Sequence, residues 1–316
     1  MTGGVVRVAV VGTGEIGRGW ATLVAAHGWP VTLYDLDTRV LRSAREEIVG
    51  RAQALLGLVG ADGSLVDAGV AALQEGRSLL QTCAEAEWVI EAIPEDLIAK
   101  QKLLEAIESA APNARVVASS SATFGPEDLA ARCRRRDRVL VAQPLNPPEL
   151  IPLVELLPGP HSDRVTLELL KGWLRALDRI PITLRKPVRG NVAGRIAAAV
   201  WREAIQLVLD GAVDVDDLDR AISVGPALGW AAAGPHLTHH LAAGTRGASG
   251  YFQQLLHTFE EIWPDLASWD KLEREKQQRV IGAIERAYEG QLDQIKMARD
   301  RRLAAILQAL EMARGR

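Results

Sequence analysis

The chain has 316 residues, a length that suggests about two domains of ~150 residues each. With 48% hydrophobic and 24% charged residues it has the composition of a folded globular protein, which excludes disorder. A formal net charge of -3 and a pI near 6.1 exclude the basic footprint of a nucleic-acid binder. No apolar run approaches the roughly 18 residues that a membrane span needs.

The densest cationic cluster, Arg132, Arg134, Arg135, Arg136 and Arg138, sits where a helix gives way to a strand. Solvated charge at a helix end is the simple reading, and phosphate binding is the other. Cys83 and Cys133 have neither metal-ligand nor CxxC spacing, and no cleavable signal is read at the start. Both features fit a reducing compartment, and a cytoplasmic protein is expected.

In chain order, Val5 to Val11 is a β-branched run ending in glycine, as in a strand buried on both faces. A helix is predicted from Glu15 to His27, a strand from Val31 to Tyr34, and a helix from about Thr38. Further strands are predicted at Trp88 to Ile93, Val116 to Ala118, Val139 to Ala142, Ile151 to Leu156 and Ile182 to Leu184. Helical patterns fall between them, at Asp96 to Ala110, Pro126 to Cys133 and Arg164 to Ala176. Such alternation predicts an α/β first domain with a parallel sheet. From Gly190 onward only helical stretches are expected, chiefly Gly194 to Leu209 and an amphipathic one from Trp269 to Met312. The expected organisation is therefore a Rossmann-like domain at 1–187 and an all-helical domain at 188–316.

The first strand runs directly into Gly12-Thr13-Gly14-Glu15-Ile16-Gly17, which opens a helix, and Asp35 ends the next strand. That context makes the glycine pattern a dinucleotide-binding fingerprint. Gly12 permits the tight turn, Gly14 lets backbone approach a pyrophosphate, and Gly17 lets the helix lie close to the strand. The helix N-terminus favours the negative charge. Asp35 can accept hydrogen bonds from ribose hydroxyls and would repel a 2′-phosphate, and no arginine immediately follows it. NAD is the expected cofactor.

The chain resembles the 3-hydroxyacyl-CoA dehydrogenase superfamily, and within it the λ-crystallin (L-gulonate 3-dehydrogenase) branch. The resemblance rests on the glycine loop through Arg18-Gly19-Trp20 and on Glu91-Ala92-Ile93-Pro94-Glu95 with Lys100. It continues through Pro144-Leu145-Asn146-Pro147-Pro148 and Ile151-Pro152-Leu153-Val154-Glu155, and ends near Arg299-Asp300-Arg301. It implies that Ala92, Glu95, Lys100 and Asn146 line the cofactor site, and that the helical domain forms a homodimer. Outside the resemblance, Glu95 reads as an acid at a helix start and Lys100 as an ordinary surface residue.

The catalytic positions depart from that family's pattern. Relatives carry a histidine before the Pro-x-Asn-Pro motif, where this chain has Gln143. The position of their serine matches Ala122, that of their asparagine matches Gly194, and an arginine pattern is replaced around Trp230. Ala122, Gly194 and Trp230 are thus candidate substrate neighbours. Gln143 hydrogen-bonds but does not titrate. Glu155 is retained, as the orienter of a lost histidine, as a base, or as a solvated strand-end acid. His236 and His239, in Gly234-Pro235-His236-Leu237-Thr238-His239-His240, are candidate replacement bases from the far side of the cleft. His236 and His240 have i,i+4 spacing, but no HExxH glutamate accompanies them, and local packing is the third possibility. No metal is expected.

Three functions remain open on these residues. The first is an NAD(H)-dependent oxidoreductase acting on a carbonyl/hydroxyl or imine/amine substrate. The second is a catalytically silent NAD-binding protein with a structural or regulatory role. The third is weak hydroxyacid chemistry through Glu155 or water. The partner expected is a small-molecule substrate.

Overall fold

The computed structural model describes residues 4–290 and 292–313. Its Cα packing separates two compact units, one of residues 1–195 with 299–309 and one of residues 196–298 with 310–316.

The first unit is built on a sheet of eight strands: β1 (Val8–Val11), β2 (Val31–Tyr34), β3 (Gln74–Glu75), β4 (Trp88–Glu91), β5 (Val116–Ser119), β6 (Val139–Pro144), β7 (Leu153–Pro158) and β8 (Ile180–Thr183). Their spatial order is β3-β2-β1-β4-β5-β6-β7-β8. Helices α1 (Glu15–Ala26), α2 (Thr38–Val59), α3 (Gly63–Ala71), α4 (Leu79–Cys83), α5 (Leu97–Ala110), α6 (Pro126–Leu129) and α7 (Arg164–Ala176) connect them. All residues of β1, β4 and β5 are buried, because helices cover both faces of a parallel sheet. The order reverses at β1, with β2 on one side and β4 on the other, so the crevice at their carboxyl ends is the place where a ligand is expected.

Two strands depart from the expected parallel sheet. β7 runs antiparallel to β6, with Gln143 opposite Glu155, while β8 is parallel to β7. The segment joining β6 to β7 contains no helix, and without a crossover the chain simply turns back. β3, α3 and α4 lie in a stretch whose pattern gave no element, being two residues of exposed strand and short helices capped by Asp62 and Ser78. Indoles fill one face of the sheet: Trp88 packs edge-on against Trp20 and stacks on Trp173, at centroid separations of 5.7 and 5.9 Å. With Trp29, also buried there, four of the eight tryptophans are core.

Of the arginine cluster, Arg138 alone turns inward, while Arg132, Arg134 and Arg135 stay exposed. Arg138 is buried and donates to the carbonyls of Ala111 and Ala114 at 3.1 and 2.9 Å, while Arg132 pairs with Glu105 at 2.8 Å. Cys83 and Cys133 are buried free thiols that burial pushes up to about 12 and about 11. Residues 299–309 lie with this unit, where Leu303 packs beside Leu55 and Leu150, and Gln308 donates to the Leu58 carbonyl at 3.2 Å.

Among the described residues, everything after β8 is helical or loop. The helices are α8 (Asn191–Leu209), α9 (Val215–Val224), α10 (Pro226–Ala242), α11 (Gly247–Gln254), α12 (Leu256–Ile262), α13 (Arg274–Ala287) and α14 (Leu292–Ala313). The long amphipathic stretch expected from Trp269 is interrupted around Tyr288–Gly290, where Gly290 has φ 150°. No described helix is long and apolar enough to cross a membrane.

Candidate active site

The glycine loop sits at the sheet's reversal point. Gly12 has φ +94°, and a Cβ there would stand 2.6 Å from the Ala92 carbonyl oxygen, so the turn needs glycine. A Cβ on Gly17 would fall 1.9 Å from the Gly12 carbonyl oxygen, which is why α1 lies so close to β1. Gly14 differs, since nothing lies within 4 Å of a Cβ placed on it and no side chain caps the α1 N-terminus. The exposed Gly14 and half-buried Ile16 are therefore placed to offer backbone N–H groups to a phosphate.

Asp35 closes the other side of this loop. Its Oδ2 accepts from the Thr13 N–H at 2.8 Å and the Thr13 hydroxyl at 3.0 Å, while Oδ1 accepts from the Asp37 N–H at 3.1 Å. Thr13 is buried, so this acid fixes the loop as well as facing the crevice. An uncapped helix N-terminus, an open Gly14 and a part-exposed acid at the end of β2 together fit a dinucleotide.

The next wall is a charged group at the ends of β4 and β5. Lys100, on α5, is 1% exposed and donates to Glu91 Oε1 at 2.8 Å and to the Ile93 carbonyl at 3.0 Å. Glu91 is fully buried and also accepts from the Ser119 hydroxyl and the Ile93 N–H. Lys100 is therefore not the surface residue its position suggested, because α5 packs this face on the sheet and the ammonium follows the buried carboxylate. Glu95 does not begin the helix either: Asp96 caps α5, accepting from the Ala99 N–H at 2.7 Å. Glu95 instead accepts from the Ser121 hydroxyl at 2.6 Å and the Thr123 N–H at 2.9 Å, and lies 3.3 Å from the Lys100 ammonium. Burial alone would raise its pKa, but the Ser121 bond and the Lys100 charge hold the carboxyl below the usual carboxylate range.

Beyond lie positions 122, 143, 155 and 194. Glu155 is 2% exposed, and its Oε1 accepts from the Val192 and Ala193 N–H groups at 2.8 and 3.1 Å. The solvated strand-end reading of Glu155 is thereby overturned, since a carboxylate held at the start of α8 is a buried anchor. Gln143, its cross-strand partner, is half-buried with Oε1 enclosed and unpartnered among the described residues. The Ala122 carbonyl accepts from the Gly190 N–H at 2.9 Å, bringing position 122 to the same turn. Asn146 is exposed on the loop after β6, joined to Pro147 by a cis peptide bond. Gly194 is exposed on the first turns of α8, with nothing near its Cβ position.

Residues 7–187 match the model of the 3-hydroxyacyl-CoA dehydrogenase NAD binding domain, and residues 190–282 match that of the 3-hydroxyacyl-CoA dehydrogenase C-terminal domain. The chain belongs to the 3-hydroxyacyl-CoA dehydrogenase family. As a member it is an NAD-dependent dehydrogenase-type oxidoreductase with a Rossmann-like domain followed by a helical one. It is 33% identical over 311 residues to an L-carnitine dehydrogenase of Nocardiopsis dassonvillei, covering 96% of this chain and 91% of that one. An L-carnitine dehydrogenase of Bacillus cereus is 32% identical over 306 residues, at 96% and 92% coverage. Among solved structures, an FHMPC 5-dehydrogenase described as an NAD+-dependent dismutase superposes with a TM-score of 0.80 at 25% identity, covering 97% of this chain and 99% of that one.

The candidate histidines of this family member belong to the second unit. His239 contacts the rings of Tyr251 and Phe259 at centroid separations of 4.7 and 5.6 Å, and His240 Nδ1 accepts from the Ala248 N–H at 3.0 Å. His236 is exposed, and Trp230 half-buried, on α10. Gly234, at φ 72° and ψ 161°, breaks α10 just before Pro235, so the three histidines share the short helix that the proline opens. No group of three or more His, Cys, Asp or Glu among the described residues is arranged to hold a metal ion. The sequence reading missed Glu91 as the partner of Lys100, Ser119 as a donor to Glu91, and Asn191 just before the N–H groups that hold Glu155. The burial of Glu91 at the end of an apolar strand was the available signal for the first.

Proposed function

We propose that this chain is an NAD(H)-dependent oxidoreductase of the λ-crystallin-like kind that works without a titrating side chain at position 143. Its reaction would be hydride transfer between the nicotinamide and a carbonyl/hydroxyl or imine/amine carbon. The observation that carries this reading is the pairing of Gln143 with Glu155 across β6 and β7, beside an intact glycine loop and Asp35.

When bound, NAD supplies or accepts the hydride. Gly14 and the uncapped start of α1 hold its pyrophosphate, Asp35 its ribose, and Ala92, Glu95 and Asn146 edge the same crevice, with Lys100 acting through Ile93 and Glu95. Gln143 offers hydrogen bonds to a substrate oxygen or nitrogen but moves no proton. Glu155 has Oε1 committed to α8, so it serves as an anchor, and the proton comes from water. Reduction of an activated ketone, or of an iminium that already carries its proton, suits such a site. A base in this position typically contributes about 10²–10⁴-fold, so alcohol oxidation is expected to be slow.

In this proposal residues 188–316 form the substrate and dimerisation domain, to which His236, His239 and Trp230 belong, and Ala122 and Gly194 are candidate substrate neighbours on the first unit. Trp201, Leu241 and Phe252 are exposed apolar side chains available to a second copy. The catalytic reading is tested by NADH binding calorimetry followed by NADH oxidation against ketones and imines, with L-carnitine and 3-hydroxy acids offered in the NAD+ direction. Turnover on a carbonyl or imine supports it. Tight NADH binding with no hydride transfer to any member of the panel replaces it with a silent NAD-binding protein.

A further inference from the structure

Asn191 belongs to none of the motifs that identify the site, yet it stands where the site's polar groups converge. It is 4% exposed, and its side-chain Nδ2 is enclosed with no hydrogen-bond partner among the described residues. Its backbone has φ +50°, the left-handed region, and its own N–H donates to the Val188 carbonyl at 2.9 Å. The two residues that follow it hold Glu155, and the residue before it holds the Ala122 carbonyl.

A left-handed backbone selects glycine first, with asparagine next among other residues. Glycine at 191 would satisfy the turn without burying an amide, whereas an enclosed, unbonded N–H donor is costly. The side chain is therefore not explained by the turn. Gln143, paired with Glu155 across β6 and β7, offers the complement, since its Oε1 is an enclosed acceptor without a donor among the described residues. Gln143 pairs with Glu155 across the two strands, and Asn191 immediately precedes the two N–H donors to Glu155, so both amides belong to residues that flank the same carboxylate.

We propose that Asn191 is the positioning residue for Gln143. In the cofactor-loaded protein its side-chain N–H donates to Gln143 Oε1, which fixes the Gln143 amide and presents its Nε2 hydrogens to the substrate's reacting oxygen. The site is thereby a neutral hydrogen-bond donor for a carbonyl, which deepens the oxidoreductase reading and favours ketones over imines as substrates. The inference rests on that reading for its substrate but not for the Asn191–Gln143 contact itself.

The contact is tested without turnover. Protein labelled with ¹⁵N at glutamine is titrated with NADH, with and without acetoacetate as a carbonyl probe, and the side-chain signal lost in Gln143→Ala identifies Gln143. Loading should shift that signal in the wild type and not in Asn191→Gly, a substitution that the left-handed backbone accommodates and whose fold and NADH affinity are checked by thermal melting and calorimetry. An identical shift in both proteins overturns the proposal. On the best ketone of the panel, Asn191→Gly should lower kcat about tenfold with little change in KM, the loss of one hydrogen bond. Gln143→Ala/Asn191→Gly should be no slower than Gln143→Ala alone, and additive losses would also overturn the proposal. If no substrate is turned over, the oxidoreductase reading falls while the amide signal still decides the contact.

Discussion

The Lys100 ammonium lies 2.8 Å from Glu91 Oε1, with the lysine 1% exposed and the glutamate fully buried. Neither charge has water to fall back on, so each depends on the other. Removing one partner of such a pair costs about 3–5 kcal/mol, because the remaining charge is stranded. Lys100→Ala should lower the urea unfolding midpoint accordingly, and Lys100→Met/Glu91→Gln should recover part of the loss. Equal stability of Lys100→Ala and wild type would mean that the pair is not closed in solution.

Two glycines of one loop should separate folding from binding. At Gly17 an added methyl meets the Gly12 carbonyl oxygen at 1.9 Å, whereas at Gly14 it meets nothing within 4 Å. Gly17→Ala should therefore lower the thermal midpoint by several degrees. Gly14→Ala should melt like the wild type and lose NADH affinity, because its methyl occupies the approach to the pyrophosphate. Unchanged NADH binding in Gly14→Ala would count directly against the cofactor site.

Asp35 combines loop support with ribose recognition. Asp35→Ala should weaken NADH binding by tenfold or more in calorimetry, since hydrogen bonds to a charged group are worth about 1.5–3 kcal/mol. It should also narrow the preference for NADH over NADPH by removing the charge that repels a 2′-phosphate. A dissociation constant for NADH equal to wild type would remove Asp35 from the site.

Glu95 gives a pH signature. Its folded pKa is held below the unfolded value of about 4.3. It therefore contributes stability that is present above the unfolded value and is lost as pH falls through the folded one. The thermal midpoint of Glu95→Gln should lie below wild type at pH 7, and the gap should close as pH falls below the unfolded value. A gap that stays constant on acidification would assign the effect to shape and not to charge.

The sequence by itself determined the local parts: the strand-loop-helix at Val8 to Ala26, the acid at Asp35, the alternation that builds the sheet, and the helical second half. These are legible because burial on both faces demands unbroken apolar strands, and a tight phosphate turn demands glycine at fixed spacing. It also showed that glutamine precedes Pro144. Only the tertiary structure decided what that glutamine faces. The reversal of β7 sets Glu155 opposite Gln143, and the turn into α8 then takes up the carboxylate with the Val192 and Ala193 N–H groups. The same holds for Lys100, which reads as a surface residue until β4 places a buried carboxylate beneath it. Short-range pattern records which face of an element is apolar. Which buried charge or amide meets which partner depends on strand pairing and helix packing between residues far apart in the chain, and no local spacing carries that information.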